Sequence, residues 1–206
     1  SKENKTTDET KAPTNNSASD TVTKLGKPTG MHYEILRDSS KLEWIAKKVT
    51  GEEHGTVTIA KGEVYINNGI LTGGNFAIDM STIKALGKDD AESENSQLTN
   101  HLKSDDFFAV EKFPIGRFAF TSATPMTDDK GNNYLIKGLL MVKNIQNTIA
   151  FPAKVDVVSG KVTASAELVI DRTKWDIKFR SGKFFQDLGD KLIYDDFTIK
   201  IFFIAR

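Results

Sequence analysis

From Met31 to the C-terminus, apolar and polar residues alternate with a period of two, and turn-forming residues interrupt the alternation about every 8–12 residues. Successive side chains of a strand point to opposite faces, so this alternation builds elements with one buried and one wet face. Leu42, Trp44 and Ala46 alternate with Glu43 and Lys47. Val57 and Ile59 share a parity ahead of Lys61-Gly62, which reads as a turn. Val64 and Ile66 precede Asn67-Asn68-Gly69, and Asn-Gly between alternating runs is a strong hairpin signal. Phe76, Ile78 and Met80 line one face, with Asn75, Ala77 and Asp79 on the other. Further strands are predicted around Phe118–Phe120, Tyr134–Val142, Ile149–Val157, Val162–Ile170 and Phe197–Phe203, with turns at Asp128–Asn132, Lys143-Asn144 and Ser159-Gly160. Pro152 has no backbone donor and calls for a bend or an edge. An all-antiparallel sheet of about eight or nine such strands either packs as a sandwich or closes into a barrel.

One segment breaks the period. Over Ser93–Ser104, Leu98 and Leu102 stand four apart, which is helical spacing, and Ser93 can cap the helix. The helix falls between two strands as a crossover. Phe107, Phe108, Val110 and Phe113 follow it and would form a lid over one barrel end.

Residues 1–30 are polar and rich in Thr, Ser, Asn and Lys, too poor in apolar surface to offset their ordering entropy. They read as a disordered tether to one barrel domain over 31–206. The tether is either an ordinary disordered terminus or the spacer of a bacterial lipoprotein, acylated on a cysteine just ahead of Ser1. The 28 basic residues balance 28 acidic ones, which gives no electrostatic drive toward nucleic acid. Absence of cysteine excludes disulfides, thiolate metal sites and a thiol nucleophile. His32, His54 and His101 share no metal-ligand spacing, and no nucleophile-elbow, phosphate-loop or dinucleotide motif is present. The residues thus name no catalytic group, no metal site and no cofactor. The 13 phenylalanines, against 2 Trp and 4 Tyr, suit a dry interior.

The run His101-Leu102-Lys103-Ser104-Asp105-Asp106-Phe107-Phe108, continued by Glu111-Lys112-Phe113-Pro114 and Phe118-Ala119-Phe120, resembles the HLKSxDFFxVEKxPxxxFxF signature of the YceI family. Gly73–Met80 and Gly138-Leu139-Leu140 are also similar to it, and Asp171–Trp175, Leu188–Asp190 and Asp195–Phe197 resemble a Bacteroidetes-type subgroup. The resemblance implies an extended, antiparallel, eight-stranded, lipocalin-like barrel with one helix in a crossover. It implies an apolar tunnel holding an isoprenoid-type lipid, a quinone or isoprenoid phosphate, in a periplasmic or secreted protein or an outer-membrane lipoprotein.

Such a ligand needs an apolar lining and no catalytic group. By parity, the expected lining is Trp44, Phe76, Ile78, Phe118, Phe120, Leu139, Met141, Leu168 and Ile170, with Phe107 and Phe108 closing one end. A polar headgroup would meet Arg172 and the basic run Lys174, Lys178, Arg180 and Lys183, interleaved with Trp175 and Phe179. The leading expectation is a lipid carrier or store. An envelope protein with an incidental cavity and an isoprenoid-modifying enzyme are the alternatives, and a homodimer stays open.

Overall fold

The computed structural model describes residues 28–87 and 92–206. All but the last three residues of the expected tether lie outside these. Nine strands run β1 (Met31–Glu34), β2 (Lys41–Lys48), β3 (Gly51–Asn67), β4 (Ile70–Ala85), β5 (Ile115–Pro125), β6 (Tyr134–Val142), β7 (Ile145–Val158), β8 (Lys161–Asp171) and β9 (Ile193–Ala205). Among the described residues one α-helix, α1 (Glu92–Lys103), crosses from β4 to β5.

All pairings are antiparallel, in the order β1-β3-β2-β9-β8-β7-β6-β5-β4, and β3 also pairs with β4. That last pairing closes the sheet. β1 and β2 pair with successive halves of β3, Glu63–Ile66 and Gly51–Val57, and Ile35 bridges to Ala205 of β9. They are therefore one broken strand, and the barrel has eight staves. Closure removes the free edges that an open sheet would expose.

Hairpin chemistry follows the turn residues. Asn68-Gly69, Lys143-Asn144 and Ser159-Gly160 all have positive φ at both positions, the primed turns that match strand twist. Lys61-Gly62 is not a turn: β3 runs straight through it. The buried parity switches from Val57 and Ile59 to Val64 and Ile66, and a register shift between Ile59 and Lys61 absorbs the odd residue. A bulge and a turn leave the same mark on apolar parity. Gly62 marks a close approach, because a Cβ there would lie 2.6 Å from Asn75 O.

The helix begins one residue earlier than expected, so Ser93 lies within its first turn, beside Glu92 and Glu94. Those two carboxylates suit the positive end of the helix dipole. Leu102 is buried, and the Ala85 amide donates to Thr99 Oγ1 (2.9 Å), fixing the helix to the end of β4.

Two seams of the barrel, three apart around the ring, are only part-paired. β7 pairs with β8 over Ala153–Val158 alone, so Ile145–Pro152 and Glu167–Asp171 share no ladder bonds. Pro152 stands where that pairing stops. β4 pairs with β5 only over Asn75–Asp79, so Ile70–Gly74 lie outside that ladder. In the unpaired stretch before Asn75 the Tyr134 hydroxyl accepts from the Leu71 amide (3.2 Å).

The core is a stack of rings at the barrel waist. Phe118 is 2% exposed and meets Phe76, Phe120 and Phe151 at centroid distances of 5.4, 5.4 and 5.6 Å. Gly138 leaves room for it: a Cβ there would lie 2.4 Å from Phe118 Cζ and 2.5 Å from Ala119 O. Gly138→Ala should therefore cost about 1–3 kcal/mol through overpacking. A thermal melt should show a fall of about 3–10 °C, and an unchanged midpoint would mean that Phe118 has slack.

Candidate ligand-binding site

The inward faces of all eight staves enclose an apolar cavity of about 90 Å³. β6 contributes Leu140 and Val142, β4 Phe76 through Ile83, and β9 Phe197, Ile199 and Ile201. Every lining residue is aliphatic, aromatic or methionine. A second apolar space of about 30 Å³ lies toward the other end, lined by residues such as Leu71, Ile136 and Phe203. Phe76, Phe151 and Ile201 line both, so the ring stack divides one greasy interior in two.

At the end that carries the β2–β3 turn, α1 and the β8–β9 loop, the larger cavity meets a vestibule of about 240 Å³. Trp44 lines both spaces. The vestibule gathers Lys47, Lys48, Arg180 and Lys191 against Glu53 and Asp190. Lys48 Nζ donates to Glu53 Oε1 (2.8 Å). His101 packs edge-on against Phe107 and Phe179, with centroids 5.0 and 4.7 Å apart, and its Nε2 lies 2.9 Å from Asp106 Oδ2. Trp44 Nε1 is buried and has no hydrogen-bond partner among the described residues. An unmatched buried donor beside a basic vestibule would be satisfied by an acceptor oxygen arriving there.

Of the residues expected from sequence, Trp44, Phe76, Ile78, Phe108, Phe118, Leu168 and Ile170 line the larger cavity and Phe120 the smaller. Phe107 lies on the vestibule wall. Leu139 and Met141 belong to the other face of β6, and Leu140 and Val142 take their place. The exposed Lys137 shares the parity of Leu139, and it was the signal that this face looks outward.

Arg172 and Trp175 are also corrected. Both are buried, and neither lines the two interior cavities or the vestibule. The Trp175 indole donates to Leu140 O (3.1 Å). Arg172 donates to the carbonyls of Ile177, Ile193 and Tyr194 at 3.0, 3.1 and 3.2 Å, so its buried guanidinium clamps the β8–β9 loop. Lys178 and Lys183 pair with Asp176 (2.8 Å) and Asp171 (2.7 Å). Burial alone would raise the Asp171 carboxyl, but bonds from Lys183 Nζ and from the Thr173 hydroxyl and amide outweigh it and hold it at about 2. Of the basic run, Arg180 alone reaches the vestibule. Lys47, Lys48 and Lys191 were not expected there, because strand and loop ends converge only when the barrel closes.

A closed eight-stave antiparallel barrel with a predominantly apolar interior and one crossover helix is a lipocalin-like fold. The chain belongs to the YceI-like domain family, whose model matches residues 33–205. Solved structures agree in fold. Burkholderia cenocepacia BcnA superposes with a TM-score of 0.62 at 19% identity, over 81% of this chain and 96% of its own. A Saccharophagus degradans domain, described as polyisoprenoid-binding and implicated in plant cell wall breakdown, gives 0.62 at 11% identity, over 84% and 97%. The Campylobacter jejuni YCEI protein gives 0.52 at 17% identity, over 72% and 82%. No curated protein sequence matches the chain.

Proposed function

We propose that this barrel binds the hydrocarbon chain of an isoprenoid-type lipid and serves as a carrier or store in the cell envelope, without chemistry of its own. The observation that carries this is the wholly apolar lining of the larger cavity, which Trp44 shares with a basic vestibule. An apolar chain gains roughly 25 cal/mol per Å² buried in such a space. A quinone oxygen or a phosphate would sit in the vestibule, where Trp44 Nε1 lacks a partner. The description of the Saccharophagus domain as polyisoprenoid-binding supports the same ligand class.

The larger cavity, about 90 Å³, is well below the roughly 300–1,000 Å³ of a pocket for a drug-sized ligand. Loading therefore requires the lining to move apart. A second reading, an envelope protein with an incidental cavity, draws on that small volume and expects no uptake at all.

The test is mass spectrometry of an organic extract of natively purified protein, followed by titration of the delipidated barrel with a polyprenyl phosphate and a polyprenyl quinone. Bound polyprenyl lipid and saturable uptake are expected. Val142→Trp, which fills the larger cavity, should weaken uptake by about tenfold or more, the equivalent of one buried side chain's contact. An empty extract without uptake, or a Val142→Trp protein that binds as tightly as the parent, ends the carrier reading. Cell fractionation checks the location, with recovery in the cytosol counting against it.

A further inference from the structure

We infer that the β8–β9 loop is a docking surface for an anionic phospholipid bilayer, with Phe184 and Phe185 entering the interface. Between Thr173 and Leu192 the chain carries five basic residues, all exposed, and three acidic, in a protein of zero net charge. Phe184 and Phe185 are consecutive, and 49% and 50% exposed. The loop is held in place by the three carbonyl bonds of Arg172, by Ser181, which is fully buried, and by the Lys183–Asp171 pair. The rings are thus presented to solvent by an anchored loop.

Lys178 Nζ stands 4.8 Å from the Phe184 ring centroid, so ring and cation sit at one place. Lys174 and Lys191 carry no ion pair among the described residues and are exposed. Apolar rings flanked by lysines are the two components of interfacial membrane binding: the rings bury in the headgroup–acyl boundary and the cations meet anionic lipid. A protein partner of high affinity would bury the rings without needing the basic excess. The charge also fixes the orientation. At the same barrel end, the stretch from Glu92 to Lys112 has five acidic and two basic residues, so it faces away from an anionic surface while the loop faces toward it. Arg180 belongs both to this loop and to the vestibule wall, so docking brings the vestibule to the membrane.

The inference stands on the loop and does not require a ligand in the barrel. The test is cosedimentation of the full chain with vesicles of phosphatidylcholine alone or with 30% phosphatidylglycerol, both free of isoprenoid, so a failure of the carrier reading leaves the result untouched. The parent should bind the anionic vesicles and bind the neutral ones at least about fivefold more weakly, since juxtamembrane cations act on anionic lipid. Phe184→Ser/Phe185→Ser should reduce binding by about tenfold or more with an unchanged melting midpoint, because the rings are exposed in solution and buried at the interface. Lys174→Glu/Lys178→Glu should remove the preference for phosphatidylglycerol. The inference is overturned if the parent ignores anionic vesicles, if the double-serine protein binds like the parent, or if gel filtration shows that the two rings instead join two copies of the chain.

Discussion

Phe118→Ala is expected to lower the stability of the barrel by about 3–5 kcal/mol and to lengthen the hydrocarbon chain it accepts. Phe118 is 2% exposed and touches three other rings, so truncation loses the burial of the whole ring and leaves a void that a closed barrel cannot collapse into. Gly138, directly beneath the ring, has no side chain to fill the space. The void would join the cavities of about 90 and 30 Å³ into one. Urea denaturation measures the first effect, and competition among polyprenols of increasing length measures the second. Less than about 1 kcal/mol of destabilisation, or an unaltered preference for chain length, would show that the waist is not the stop.

The second large effect is expected at Arg172. Arg172→Ala removes the donors for three carbonyls and takes one of two cations from Asp195, whose Oδ1 lies 3.8 Å from Nη2 and whose Oδ2 lies 3.7 Å from Lys183 Nζ. Breaking a buried charge network in this way costs about 3–5 kcal/mol. Arg172→Lys should recover little, because a single ammonium cannot reach three carbonyls spread around a planar fork. Hydrogen exchange should show amides from Ile177 to Ile193 losing protection while those of β5 and β6 keep theirs. Global stability within about 0.5 kcal/mol of the parent would mean that the loop stands without its clamp.

Most of the architecture was legible from the sequence because period-2 alternation is local. Phe76 with Ile78, or Leu168 with Ile170, reveals a buried face without reference to any other strand. Parity fails where the chain shifts by one residue. The bulge after Ile59 imitated a turn at Lys61-Gly62, because both reverse the buried face. On β6 both parities are rich in apolar residues, and only Lys137 distinguishes the outer one. The vestibule was not legible. Trp44 and Lys47 lie on β2, His101 on α1 and Lys191 in the β8–β9 loop, and which ends converge depends on the closure between β3 and β4. Arg172 misled for a different reason: a cation near basic neighbours reads as a surface residue, and its burial is decided by carbonyls up to 22 residues away.

The half-zipped seam between β7 and β8 gives the barrel an expansion joint. Over Ile145–Pro152 and Glu167–Asp171 the two strands can part without sacrificing a ladder bond, since none joins them there. Ile149, Leu168 and Ile170 wall the larger cavity along this stretch. A girth that can yield on this flank would let a snug, dry interior swell around the proposed hydrocarbon tail while the fully laddered seams, such as β6 with β7 and β8 with β9, stay laced together.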